Sequence, residues 1–360
     1  MTKDEDHLDG TNVNLRVYCH HSNEHNATAK HRARALGGFS SSGRFRTVDL
    51  EGLQDELEPY TVRDDYFHRP RRGDPMAAYL ALGPLLPSVN PYLVLPRYYS
   101  EEETDQIAAA GLSVLKRGCL LDYGAGETRI FAVEQFLRAN SSLHRFNTDQ
   151  QLLQVAAHHH KVAAQHAAVD AAASRSDRSA TSSREPLPRT PPPPSRPMGS
   201  PPLERCETMV GHVLARGRTV GASAGGWHKD KSIINGPGFK ALLYLQDVRA
   251  RGQGPFMMLL GYRDHAEWMA GGLDTCNTNK QQQPRFAESD VLAHVRSSSP
   301  RARVVEIFAP KGSVVLFETS SIHRGGDVVN SSRAVAINYY DGLVGNIMSR
   351  ACAHALKSAA

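Results

Sequence analysis

The sequence predicts a mainly β protein with flanking helices, built as a sandwich or jelly roll. Three observations carry this. From Val220 onward the chain breaks into short apolar runs: Phe239 to Leu245, Pro255 to Leu260, Val304 to Phe308, Val314 to Phe317 and Arg333 to Tyr340. Turn signals such as Lys311-Gly312 separate them. No regular alternation of strand and helix runs through this half, which argues against a doubly wound parallel sheet.

Taken in order, residues 1–75 are rich in Asp, His, Asn, Ser and Arg with little periodicity. They read as a mostly disordered N-terminal tail with one short strand over Val13 to Tyr18. The folded domain is placed at 76–345, with order setting in near Tyr92, and 346–360 as a C-terminal tail. Ser100 followed by Glu103 makes a capping box, and Ile107, Gly111, Val114 and Leu115 repeat at helical spacing up to Gly118. Arg129 to Val133 predicts a strand, and Leu152 to Ala157 a short helix. Residues 157–203 run from His158-His159-His160 through Ala-rich and Ser/Arg-rich sequence to Pro191–Pro194. Such composition buries too little apolar surface to offset ordering entropy, so a flexible low-complexity insertion is predicted. Its segment 186–202 offers a polyproline surface on which an SH3-like partner could dock, though a plain linker explains it as well.

Composition narrows the function classes. Lys plus Arg number 42 against 37 Asp plus Glu, a net charge of +5 without a basic, aromatic-interleaved stripe, so no nucleic-acid partner is predicted. Cys19, Cys119, Cys206, Cys276 and Cys352 are odd in number and far apart, with no CxxC. This favours a reducing compartment over a disulfide framework. No apolar run approaches the ~20 residues of a membrane span. The acidic opening is unlike a signal peptide, and the final residues are not Ser-Lys-Leu. A cytoplasmic location is therefore expected.

The chemistry sits in two segments. In Gly225-Gly226-Trp227-His228-Lys229-Asp230, His228 and Asp230 are two residues apart. On an extended chain they share a face, so an imidazole and a carboxylate converge on one ion. Lys229 then points to the opposite face and is expected to be solvated, while Trp227 is expected to pack. Downstream comes Ile322-His323-Arg324-Gly325-Gly326, and ten positions after His323 stands Arg333, opening the last strand. Two histidines and one carboxylate form a facial triad that leaves metal positions open. A fixed arginine on a neighbouring strand can grip the far end of a dicarboxylate in bidentate fashion.

Gly226-Trp227-His228-Lys229-Asp230, Lys240-Ala-Leu-Leu-Tyr-Leu-Gln-Asp247, Gly254-Pro255-Phe256, Ser321-Ile322-His323-Arg324-Gly325 and Arg333 together resemble the phytanoyl-CoA dioxygenase family. The resemblance spans Tyr92 to Tyr340, interrupted by the insertion. It implies a double-stranded β-helix core, iron(II) held by His228, Asp230 and His323, and a salt bridge from Arg333 to 2-oxoglutarate. Tyr244 is a candidate second contact to 2-oxoglutarate or, equally, a core aromatic. The implied reaction is hydroxylation of an aliphatic carbon of a small-molecule or lipid-like substrate by O2, with release of succinate and CO2 and with ascorbate supportive. Family halogenases lack the carboxylate ligand, so Asp230 favours hydroxylation. Where members often read Gly-Ser-His, this chain has Gly261-Tyr262-Arg263-Asp264-His265, and His265 is given no role. Arg263 to Pro300 is expected to cover the mouth of the site. The residues also admit a non-catalytic jelly-roll binding module, a zinc hydrolase on the same ligands, or a scaffold acting through the insertion. None of them names the substrate.

Overall fold

The computed structural model describes residues 56–71, 73–86, 89–117, 121–122, 127–131, 141–179, 207–214, 219–221, 226–230, 238–262, 285–329 and 331–340. In chain order these form β1 (Thr61–Asp65), α1 (Pro75–Leu82), β2 (Tyr92–Leu95), α2 (Glu101–Arg117), β3 (Leu121–Asp122), β4 (Glu127–Phe131), α3 (Ser141–Asn147) and α4 (Gln150–Ser179). There follow β5 (Glu207–Leu214), β6 (Thr219–Gly221), β7 (Trp227–His228), β8 (Phe239–Tyr244), β9 (Phe256–Leu260), β10 (Arg285–Phe286) and α5 (Glu288–Ser298). The last elements are β11 (Arg303–Phe308), β12 (Val314–Glu318), β13 (His323–Gly325), β14 (Asp327–Val329) and β15 (Ser332–Tyr339).

Two sheets make the jelly-roll core. One runs β1-β11-β9-β13-β7-β10, the other β2-β12-β8-β15-β5-β4-β3, and β14 pairs β6 in a small ribbon. The central strands are apolar at consecutive positions because both of their faces are covered. On β8, Leu242 and Tyr244 point between the sheets, whereas Phe239, Ala241 and Leu243 point outward to the helices. On β9, Phe256, Met258 and Leu260 face inward, while Met257 and Leu259 pack outward with Val291 and Leu292 of α5. The period-two alternation thus supplies three apolar layers: helices on the larger sheet, sheet on sheet, and α5 on the smaller sheet.

The helices follow from their caps. Ser100 Oγ accepts the Glu103 N–H at 3.1 Å and Glu103 Oε2 accepts the Ser100 N–H at 2.9 Å, a reciprocal capping box for α2. Asp74 caps α1 through the Met76 and Ala77 N–H groups, with Pro75 in the first turn. Asp149 caps α4 through Gln151 and Leu152.

The structure corrects the sequence reading of two segments. Residues 157–179, expected inside a flexible insertion, continue α4 as helix to Ser179. Alanine is the strongest helix former, and Leu152, Leu153, Val155, Ala156 and His159 form a buried stripe at helical spacing. The proline-rich remainder, 180–203, lies outside the described residues, as do Val13 to Tyr18, His265 and all five cysteines. The ordered chain also begins before 76: β1 adds a parallel edge strand to β11, from Thr61 against Val304 to Asp65 against Phe308. No helix among the described residues is long and apolar enough to cross a membrane.

His159 is buried between Tyr79 and Phe239, with its Nδ1 3.1 Å from the Tyr79 hydroxyl and its ring 4.8 Å from that of Phe239. Burial first, then His160 and His158, pushes its pKa down to about 3. The unfolded chain takes up a proton near the ordinary pH ~6.5, while the folded state resists it. Stability from this residue is therefore present above ~6.5 and falls as pH drops towards the folded value. Between pH 7 and 5 the wild type is expected to lose about 2 kcal/mol more than His159→Leu in paired urea melts.

Gly312 shows where the fold needs a missing Cβ. Its φ is +82°, and a Cβ there would stand 2.3 Å from the Tyr99 carbonyl oxygen. It also links β8 to the segment before α2, donating to Tyr244 O at 2.9 Å and accepting from Tyr99 N–H at 3.0 Å. Gly312→Ala is expected to cost about 3 kcal/mol or more, from the left-handed backbone and the forced displacement together, as read by urea unfolding.

Candidate metal centre

His228 and His323 are brought side by side by register, since β7 and β13 pair antiparallel with these two residues as Cα partners. Asp230, two residues past His228, is fixed by its N–H donating to Thr319 O at 3.0 Å, in the turn that leads to His323. All three side chains are buried, and one ligand atom from each lies within 4.8 Å of the others. The carboxylate stands between the imidazoles: Asp230 Oδ1 is 3.8 Å from His228 Nε2, and Oδ2 is 3.3 Å from His323 Nε2. Two donors each ~2.1 Å from one ion lie at most ~4.2 Å apart, so both separations suit a shared metal.

The backbone sets the imidazole tautomers. His228 Nδ1 lies 3.0 Å from Gly226 O, and His323 Nδ1 lies 2.8 Å from Ser321 O. A carbonyl only accepts, so both Nδ1 atoms carry a proton and both Nε2 atoms turn to the centre, where they can serve as metal donors. This is the outer support expected of metal-binding histidines. The turn holding His323 is itself pinned. Buried Glu318 accepts from Ser320 N–H at 3.0 Å, Ser320 Oγ at 2.5 Å and Ser321 Oγ at 3.3 Å. The Tyr262 hydroxyl accepts from Ile322 N–H at 3.1 Å. Burial pushes the Glu318 carboxyl above the usual range against those hydrogen bonds.

Lys240 is the residue that sequence reasoning passed over. It lies on β8, is 5% exposed, and its ammonium donates to Asp230 Oδ2 while resting 4.0 Å from the centroid of the Tyr339 ring. Burial raises the Asp230 carboxyl, but the Lys240 ammonium, then His323 and His228, hold it well below the usual carboxylate range. The available signal was a lysine inside an otherwise apolar strand, since lysine is almost never buried unpaired.

Arg333 lies on β15 and is buried, opposite Val213 of β5. Its cation opposes the effect of burial on neighbouring Tyr244, whose hydroxyl is pushed up to about 12. Gly254, with φ +72°, makes room for it: a Cβ there would stand 2.6 Å from Arg333 Cδ. The Tyr244 hydroxyl donates to Ile307 O at 3.1 Å and accepts from Phe256 N–H at 2.8 Å. As placed, its hydroxyl bridges the two sheets.

Lys229 departs from expectation. It is buried, with its ammonium 5.0 Å from the centroid of the ring of Tyr262, a member of the apolar cluster that also holds Trp227, Val291 and Leu292. Trp227 is fully buried and packs there, with Phe286 as its strand partner. Arg324 ties this wall together, hydrogen-bonding Glu288 of α5 at 2.7 Å and ion-pairing with Asp327 at 3.2 Å over the Trp227 ring. Of the stretch Arg263 to Pro300, expected to cover the mouth, 263–284 lies outside the described residues, and α5 is a packed wall.

No family model matches the chain, and no curated protein does. Among solved structures, the chain is similar to HygX from Streptomyces hygroscopicus with nickel and 2-oxoglutarate bound, at 16% identity over 70% of this chain and 83% of that one, with a TM-score of 0.38. It is also similar to the non-heme alpha ketoglutarate dependent carbocyclase SnoK from nogalamycin biosynthesis, at 15% identity over 72% and 85%, TM-score 0.41. A third is AviO1 from Streptomyces viridochromogenes Tue57, at 15% identity over 76% and 98%, TM-score 0.41.

Proposed function

We propose that this chain is an iron(II)- and 2-oxoglutarate-dependent oxygenase that hydroxylates an aliphatic carbon of a small-molecule or lipid-like substrate. The observation that carries the reading is the buried His228–Asp230–His323 cluster with both Nε2 atoms turned to one point. Two imidazoles and one carboxylate suit iron(II) and leave open positions for co-substrate and O2. Bound there, iron(II) and 2-oxoglutarate would supply the oxidising power, with O2 giving one oxygen to the product and one to succinate as CO2 leaves.

The chain's own residues do the rest. Gly226 O and Ser321 O orient the imidazoles. Asp230, kept ionised beside Lys240, supplies the anionic donor. Arg333 is the group for the distal carboxylate of 2-oxoglutarate, with a planar fork that binds both oxygens. Phe256 and Phe317, whose rings lie 5.6 and 5.1 Å from that of His323, keep water from the inner wall of the centre.

The test is succinate release by purified protein with iron(II), 2-oxoglutarate, ascorbate and O2, beside His228→Ala. Iron-dependent succinate that vanishes in the variant is expected, because such centres turn over slowly without their prime substrate. Neither succinate nor 2-oxoglutarate binding would return the chain to a jelly-roll binding module.

A further inference from the structure

The geometry points to Lys240 as a positioning residue that holds Asp230 to a single metal bond and so keeps one coordination position open. The proposal rests on the metal-centre reading above. Asp230 presents Oδ1 towards His228 Nε2 at 3.8 Å and Oδ2 towards His323 Nε2 at 3.3 Å. Both of its oxygens therefore face the point where the imidazoles converge, an arrangement from which a carboxylate can chelate one ion through both. Lys240 claims Oδ2 with its ammonium.

That ammonium is held in place. β8 is paired on both sides, Lys240 standing opposite Phe317 of β12 and Tyr339 of β15. The Lys240 side chain is 6% exposed, and its charge rests on the face of Tyr339 at 4.0 Å. A donor fixed by a central strand and an aromatic face does not follow the carboxylate if the latter rotates. Oδ2 thus stays on Lys240 while Oδ1 serves the metal. An open position matters here because co-substrate and O2 need adjacent sites on one ion.

Mn(II), which takes the same donors and reports its bound waters, is the probe. The full-length chain is loaded with Mn(II), and the exchangeable waters on the ion are counted by water-proton relaxation and by isotopically labelled water in electron spin resonance. Lys240→Met frees Oδ2, and the variant is expected to carry one water fewer than the wild type. Lys240→Arg, which restores a donor, is expected to return to the wild-type count. Mn(II) binding with equal counts in wild type and Lys240→Met overturns the role of Lys240 alone. Failure of the wild type to bind Mn(II) overturns the metal centre itself. Should Lys240→Met not fold, a crystal structure of the Mn(II)-loaded wild type decides: Oδ2 on Lys240 Nζ supports the proposal, and both oxygens on the ion overturn it.

Discussion

Asp230→Ala is expected to abolish iron-dependent succinate release and, in the metal-free protein, to lower stability by about 3–5 kcal/mol. The two losses have different causes. The catalytic one follows from removing the only anionic donor of the cluster. The other arises because Lys240 is buried at 5% exposure and ion-paired to Asp230. Deleting the carboxylate strands an ammonium in a low-dielectric interior, and breaking such a pair from one side costs more than the pair contributes. His228→Ala leaves the Lys240–Asp230 pair intact, so it should lose turnover with a much smaller drop in the apo melt. The double variant Asp230→Ala/Lys240→Met should recover most of the lost stability and none of the activity. Urea melts and succinate assays on these proteins, with the single variant Lys240→Met completing the cycle, check this. Additive stability losses in the double variant would show that the pair is not coupled in the folded chain.

The part of this centre that sequence exposes is the part written locally. His228 and Asp230 are two apart on an extended segment, and His323 and Arg333 flank a turn between apolar runs. Local chemistry likewise gave the capping box of Ser100 and Glu103 and the apolar strands β8, β9, β11, β12 and β15. What stayed hidden depends on distant partners. The strand β1, Thr-Val-Arg-Asp-Asp, is polar and half exposed, and only pairing with β11, some 240 residues on, makes it a strand. β5 contains Gly211 and His212 yet pairs with β15 along its whole length. The helical stretch beyond Ala157 was obscured by composition: alanine repeats resemble low complexity, and His159 packs against Tyr79 and Phe239, which no local window contains. Lys240 is the same case at the site. Its strand is legible, but the pairing with Asp230, ten positions earlier, is not written in the strand pattern.

Arg333→Met is expected to raise the 2-oxoglutarate concentration for half-maximal succinate release by roughly 100-fold, with metal binding unchanged. A guanidinium–carboxylate pair contributes about 1.5–3 kcal/mol for each charge-assisted bond, and a buried bidentate grip sits at the upper end. The position is prepared for it. Arg333 lies on a strand paired on both sides, in the space left by Gly254, and methionine fills much of the same volume without a charge. Arg333→Lys should fall between the two, because an ammonium keeps the charge but cannot present two parallel donors. Gly254→Ala makes an independent check, since its added methyl would press on Arg333 Cδ. It should weaken 2-oxoglutarate binding by displacing the Arg333 side chain. If Arg333→Met binds 2-oxoglutarate as tightly as the wild type while Asp230→Ala still loses metal, the centre binds metal but the dicarboxylate sits elsewhere. Isothermal titration of Mn(II)-loaded protein with 2-oxoglutarate distinguishes these outcomes without any substrate.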